Sequence, residues 1–486
     1  MRFPLERIGP VTDWRSGETW AGERIRRHAL GVAAMLRARG AAPGRTVVIH
    51  HGGDARFFAD LFGVWRAGAC AVCLSPSTTV AELGTIVDFV EPVAVLVKSA
   101  GKAPEGLGVP VLASGEAGGG GDDAIDAEDL GGGLDDDALI LFTSGTTGTP
   151  KGVLHTFRSI LARVRLNQAH IPASALTRTL CVLPTHFGHG LIGNCLTPLL
   201  AGHDVVIAPA ANLEVTAGLG DIVDAYGITF MSSVPTMWKK VIKSAAPKGD
   251  TLGRVHVGSA PLSAELWQAI ADWTGTNDVV NMYGITETAN WLGGASLADH
   301  PAEDGLIGRM WGGTAAVLTS TGEVRPDGEG EILVQSRSLM KAYYKRADET
   351  AEVLRGGWFH TGDIGRIDGA GVMRLTGREK NEINRGGMKI HPEDINLLLE
   401  RHPAVREACA FPIPDEVEGQ TVGVAVSLAN GADTDARRLR RWCAERISRE
   451  KVPVKWFVLD EIPKTDHGKL NQAAVAAHCL KARPGP

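Results

Sequence analysis

Apolar residues along this chain keep two rhythms, and the alternation between them is what the sequence discloses first. Short continuous apolar runs have the length of buried strands: RTVVIHH (45–51), ACAVCLS (69–75), ALILF (138–142), DVVIA (204–208), ITFMSSV (228–234), RVHVG (254–258) and DVVNMYG (278–284). Stretches with helical spacing lie between them. These are residues 19–39 ending at Gly40, ARFFADLFGVWRAG (55–68), 236–243, and the segment before DVVNMYG. Strands that alternate with helices predict an α/β fold whose mainly parallel sheets carry helices on both faces. The Gly/Asp/Ala-rich stretch 114–137 has neither rhythm and reads as a solvated connection without chemistry.

Beyond Gly377 the pattern changes to short strand-like runs, one basic helix (435–447) and KWFVLDEIP. That predicts a small, mobile α+β domain. A chain of 486 residues also exceeds what one core supports. The expected organisation is a large N-terminal domain of stacked sheets, residues 1–377, and a small C-terminal domain, residues 378–486.

Composition narrows the function by exclusion. A net charge of −6 counts against a nucleic-acid partner, which meets a basic face. No apolar run approaches the ~20 residues that span a bilayer, and MRFPLERIGP lacks the layout of a secretory signal. Seven Cys, an odd number without metal-type spacing, fit a reducing cytoplasmic setting; Cys70 and Cys73 read as core thiols.

The chemistry begins where ALILF runs into TSGTTGTPKG, Thr143–Gly152. Gly145 and Gly148 let the backbone curl with its N–H groups facing one point. Thr143, Ser144, Thr146, Thr147 and Thr149 add hydroxyls, and Lys151 adds a mobile positive charge. The spacing Gly-x2-Gly-x2-Lys, with Pro150 before the lysine, is not that of the common P-loop. It still suits a polyphosphate.

This string resembles the phosphate loop of the AMP-forming adenylating enzymes, the family of acyl-CoA synthetases, stand-alone adenylation domains and beetle luciferases. Four further motifs resemble that family in its own order, so the likeness spans residues 138–472. In NMYGITET, with Asn281, Met282 and Gly284, the resemblance implies that Tyr283 packs on adenine. It gives Thr286 the α-phosphate and Glu287 the Mg²⁺. With that motif goes GSAPL, with Gly258, Ser259, Ala260 and Pro261, which resembles the loop on the other adenine face. In GWFHTGDIG, Asp363 resembles the aspartate that accepts both ribose hydroxyls. In GREKNEINRGGMKIHPEDI, Arg378 resembles the ribose-contacting arginine, Lys380 the hinge, and Gly386 and Gly387 the wall of the CoA tunnel. In IPKTDHGKLNQ, Lys469 matches the lysine that bridges the carboxylate and the leaving oxygens; Gln472 departs from the arginine of many members.

The resemblance thus implies an acid–thiol ligase that uses ATP, Mg²⁺ and coenzyme A. A carboxylate attacks the α-phosphorus, pyrophosphate leaves, and a thiol then displaces AMP. The small domain would turn about Lys380 between the two steps. LPTHFGHGL (183–191) matches the stretch beside the acyl pocket. Phe187 stands where amino-acid-activating members place aspartate, which disfavours an amino acid. Phe187, Gly188, His189, Ser232, Ser233, Met282, Asn290 and Trp291 are the pocket candidates. Their bulk and polar groups point to a short acid with a hydroxyl near the carboxylate, such as 2-hydroxyisobutyrate. A benzoate is the alternative. A carrier-loading adenylation domain, a luciferase-type oxygenase and a nucleotide sensor are the competing activities.

Overall fold

In the computed structural model the described residues are 5–99, 104, 106–116, 131–143, 151–209, 212–378, 381, 383–385, 388–415, 418–447, 451–464 and 470–481. The chain forms two compact units. The first holds residues 1–302, 307–314 and 335–359. The second holds residues 303–306, 315–334 and 360–486, and so includes 378–486 in full.

Two sheets organise the first unit. One runs in the order Asn290–Ser296, Val279–Ile285, Arg254–Gly258, Phe230–Ser233, Arg178–Cys181, Asp204–Ile207, Val11–Asp13, Thr19–Trp20. Its central pairs are parallel, as the strand–helix alternation predicts, and only the two outer pairs are antiparallel.

The other sheet runs Ala342–Tyr343, Lys151–Thr156, Asp137–Thr143, Cys70–Cys73, Thr46–Ile49, Val95–Val97, Val111–Ala113. From Asp137–Thr143 onward its pairs are parallel. Lys151–Thr156 turns back antiparallel, with Thr143 opposite Lys151. The physical reason is chain length: residues 144–150 are too few for a parallel crossover, which takes about a dozen.

Helices fill the space between. Gly22–Arg37 lies within the predicted 19–39, starting later because Thr19–Trp20 pairs as a strand. Ala55–Arg66 is held at its start by the Asp54 side chain, which accepts from the Phe57 N–H. One apolar cluster joins these helices to both sheets, packing Ile25, Val32, Phe57, Phe58 and Trp65 with Leu139, Leu141, Phe157, Leu191 and Ile207. Aliphatic side chains make up most of it, and Trp20, Phe57, Phe58, Phe62, Trp65 and Phe157 are its aromatic members.

In the second unit a five-stranded sheet is built around the long antiparallel pair Val405–Asp415 and Gly419–Leu428. Helices Pro392–Glu400 and Ala436–Ala444 pack on one apolar set, including Ile395, Leu399 and Leu439. Helix Gln472–Lys481 packs on another, through Val475 and Cys479. The strong amphipathy of Ala436–Ala444 comes from four arginines set against Leu439 and Cys443.

Candidate functional site

The site grows from the hairpin that encloses the candidate phosphate loop. Asp137–Thr143 and Lys151–Thr156 are its two arms, so the loop's ends meet as a cross-strand pair. Ser144, Gly145, Thr146, Thr147 and Gly148 lie outside the described residues, as do Lys380, Gly386, Gly387 and Lys469.

Alternate residues of a strand share a face, so Lys151, Val153 and His155 point to one side of the second arm. The neighbouring strand Ala342–Tyr343 sets Tyr343 opposite Val153 on that same side. Lys151 Nζ accordingly sits 3.6 Å from the centroid of the Tyr343 ring and 3.5 Å from a Glu349 carboxylate oxygen. An ammonium over an aromatic face is attracted by the ring quadrupole.

Against this face packs the short helical turn Thr286–Thr288, which follows strand Val279–Ile285. Two side chains of the face fasten it. The Tyr343 hydroxyl donates to Glu287 Oε1 at 2.8 Å. His155 Nε2 lies 2.8 Å from the Thr286 carbonyl, which only accepts, so the proton is on Nε2. Burial drives the His155 pKa down to about 4, and the bond to Thr286 offsets this only in part. The ring is therefore a neutral donor at physiological pH. Burial, with the Glu287 charge beside it, pushes the Tyr343 hydroxyl well above the usual tyrosine range, so it remains a donor too. The Glu287 backbone is held as well, its carbonyl accepting from the Met340 N–H at 2.7 Å.

The remaining nucleotide candidates line adjoining strand ends. Asn281, Met282 and Tyr283 are buried on Val279–Ile285, and Gly258 lies directly opposite Met282. A side chain at Gly284 would meet the Asn290 carbonyl oxygen at 2.2 Å, so the two strands approach closely only because it is glycine. Ser259 sits at φ +69°, left-handed territory that costs a non-glycine residue about 1 kcal/mol or more. It is followed by half-exposed Ala260 and exposed Pro261.

The acyl-pocket candidates are brought together in part. His189 begins an eight-residue π-helix, His189–Leu196, a wider coil that is uncommon and recurs at functional sites. Its Nδ1 lies 2.7 Å from Ser259 Oγ and its Nε2 2.6 Å from Ser232 Oγ. The ring stands edge-on to Trp291, 5.7 Å between centroids. Gly188 is buried just before the coil, where a side chain would touch Leu141. Phe187 stacks at a tilt on His186. Met282 and Trp291 share a buried cluster with Phe230 and Trp311. Asn290 is buried at φ +98°, and its amide Nδ2 has no hydrogen-bond partner among the described residues. Ser233 is not part of this group. Its hydroxyl donates to the His256 carbonyl and accepts from Trp238 Nε1, which commits it to the core.

In the second unit Asp363 is buried on strand Trp358–Ile367, and its backbone pairs with that of Arg378. Its N–H donates to Thr361 Oγ1.

Tyr343 and His155 were missed as site residues from sequence. The signal for His155 was present: counting by twos from Lys151 along a strand reaches it. Nothing local marks Tyr343, which meets Glu287 across 56 residues of chain.

Among the described residues no three His, Cys, Asp or Glu gather to hold a metal unaided. Magnesium on a polyphosphate does not need such a cage, because one or two carboxylates with phosphate oxygens and water suffice. Glu287 fits that demand: one oxygen is held by Tyr343, and the other has no hydrogen bond among the described residues.

Residues 8–344 match the AMP-binding enzyme family, and residues 395–469 match the AMP-binding enzyme C-terminal domain. The chain is 32% identical to an oxalate–CoA ligase of Arabidopsis thaliana over 353 residues, 71% of this chain and 68% of that one. It is 31% identical to a feruloyl-CoA synthase of an Amycolatopsis species over 475 residues, 93% of this chain and 92% of the relative. The fold matches the crystal structure of ATP-bound MatB from Rhodopseudomonas palustris with a TM-score of 0.86 at 24% identity, covering 99% of each chain. No helix among the described residues is long and apolar enough to cross a membrane. With a family match over most of its length, the five motifs in order, and the turn of Thr286 and Glu287 fastened beside Lys151, the chain belongs to the AMP-binding enzyme family, the adenylate-forming enzymes that include the acyl-CoA synthetases.

Proposed function

We propose that this protein is an AMP-forming acyl-CoA ligase acting on a short acid with a second polar group near its carboxylate. The observation that carries the adenylation step is the convergence of Lys151, Glu287 and Thr286 on one face of the hairpin that frames the phosphate loop. A carboxylate oxygen forms a bond to the α-phosphorus of ATP while the bond from that phosphorus to the bridging oxygen breaks, releasing pyrophosphate. Most of the acceleration in such a transfer comes from positioning and charge neutralisation. In this reading Lys151 draws the terminal phosphates and Thr286 the α-phosphate. When bound at Glu287, Mg²⁺ would offset the charge on the phosphate oxygens. Coenzyme A then supplies the thiol that forms the new bond to the acyl carbonyl carbon, and AMP leaves. Asp363 and Arg378 take the ribose, Lys469 serves the first step, and the Gly386–Gly387 side serves the second.

The polar character of the pocket supports the choice of acid. Ser232, His189 and Ser259 form a chain of hydroxyl–imidazole–hydroxyl contacts, and their mutual bonding holds each in place. Each hydroxyl keeps hydrogen-bonding capacity beyond its bond to the ring, so such a wall favours a substrate that hydrogen-bonds. The oxalate–CoA ligase likeness is in keeping with a short polar acid, and 2-hydroxyisobutyrate remains the specific candidate. A benzoate-type acid is the second reading, favoured by the rings of Trp291, His256 and Trp311, which pack within 4.5 to 6.4 Å of one another.

The test is pyrophosphate release against a panel of carboxylic acids with Mg-ATP, with and without CoA. The proposal expects acid-dependent pyrophosphate, and acyl-CoA with AMP when CoA is present; absence of both overturns it. Lys469→Ala should block pyrophosphate release yet form thioester from supplied acyl-adenylate. Thioester made only on a phosphopantetheine carrier would favour a carrier-loading enzyme instead.

A further inference from the structure

The residue that faces Glu287 belongs to neither the phosphate loop nor the motif containing the glutamate. It lies on a two-residue strand, Ala342–Tyr343, at the edge of the hairpin sheet. Tyr343 is buried in a small cluster with Val153, Met340 and Phe359, which fixes its ring. Its N–H donates to Thr350 Oγ1, and the flanking Lys341 and Tyr344 N–H groups donate to the Leu154 and Gly152 carbonyls. With backbone and ring both held, the hydroxyl has one place to point, and Glu287 Oε1 is there at 2.8 Å.

A carboxylate on a flexible side chain samples many orientations, and only some aim an oxygen at a metal. A hydrogen bond to one oxygen removes that freedom and fixes the direction of the other. This is how neighbours of a metal ligand tune its affinity in general. We propose that Tyr343 is the positioning residue for Glu287, holding Oε1 so that the second carboxylate oxygen is presented to magnesium on the bound nucleotide. The inference rests on the reading that Glu287 meets that magnesium.

The ring has a second neighbour, the Lys151 ammonium over its face. One tyrosine thus touches both the cation at the end of the phosphate loop and the carboxylate of the metal motif. Their separation is set by a rigid aromatic spacer, and Phe in its place would keep the spacer and remove only the bond to Glu287.

The experiment compares wild type, Tyr343→Phe, Glu287→Gln and the double variant in two readouts: Mn²⁺ affinity of the enzyme–ATP complex without acid, by electron paramagnetic resonance, and pyrophosphate release at saturating ATP and acid while Mg²⁺ is varied. Mn²⁺ affinity should fall in Tyr343→Phe by the same factor as the shift in the Mg²⁺ curve, and an unchanged affinity would overturn the inference. Tyr343→Phe should raise the Mg²⁺ concentration for half-maximal rate roughly 10- to 100-fold, with much of the rate regained at high Mg²⁺. The KM for the acid should not move. In the double variant the Tyr343→Phe loss should vanish, because the hydroxyl acts through the carboxylate. A magnesium curve identical to wild type, or losses that simply add, would overturn the inference. If Tyr343→Phe melts too low to assay, Tyr343→Leu, which also lacks a donor, is assayed the same way and decides it: unaltered magnesium response in a folded variant refutes the role. A wild type that releases no pyrophosphate with any acid would instead overturn the ligase reading itself.

Discussion

Acid should loosen this protein through His155, and the amount can be worked from its surroundings. The ring is wholly buried on strand Lys151–Thr156, where burial holds its pKa at about 4 against an ordinary 6.5. Unfolded, the side chain takes up a proton near pH 6.5; folded, it does so only near pH 4. Between those values the unfolded chain binds more protons, so stability is full above pH 6.5 and falls as pH falls. Each pH unit in the window costs about 1.4 kcal/mol, and the whole window about 3 kcal/mol. Glutamine at this position cannot titrate, while its amide can still donate toward the Thr286 carbonyl. Urea midpoints for wild type and His155→Gln between pH 7.5 and 4.5 give the check. Groups common to both cancel in the difference, which should shift by about 2–3 kcal/mol in favour of the variant on acidification. Two parallel curves would refute the argument that this imidazole is buried and neutral.

Two other outcomes are open to direct measurement. A methyl at Gly193 would lie 1.9 Å from Asn290 Nδ2 and 2.9 Å from the Trp291 ring, so Gly193→Ala should destabilise by about 1–3 kcal/mol. It should also change the ranking of acids in the pyrophosphate assay; an unchanged melting temperature and ranking would refute the close packing. All seven cysteines are buried and reduced, and burial raises the thiols of Cys409 to about 12 and Cys443 to about 11. Ellman's reagent should therefore report almost no thiol in the native protein and seven after denaturation, and prompt native labelling would show that a described cysteine is open to solvent.

His189 entered as one of the polar candidates of the acyl pocket. Its two ring nitrogens engage serines, one on strand Phe230–Ser233 and the other in the strained turn after Gly258. Its imidazole thereby ties the coil His189–Leu196 to two strand ends.

The motifs that place the chain in its family, the α/β alternation and the strand that runs into Thr143 were legible in the sequence because each is local. Apolar period, turn chemistry and residue spacing act within a few positions of one another. The strand limits agree for the same reason, as at Arg254–Gly258, where the apolar run and the strand coincide. What only the tertiary structure decided is which distant residues meet: Tyr343 with Glu287, His155 with Thr286, and His189 with Ser232 and Ser259. Those meetings depend on strand order and register, which set side chains from remote stretches on one face. The register in turn follows from burying the apolar faces of all the strands at once, a condition on the whole core that no short stretch contains.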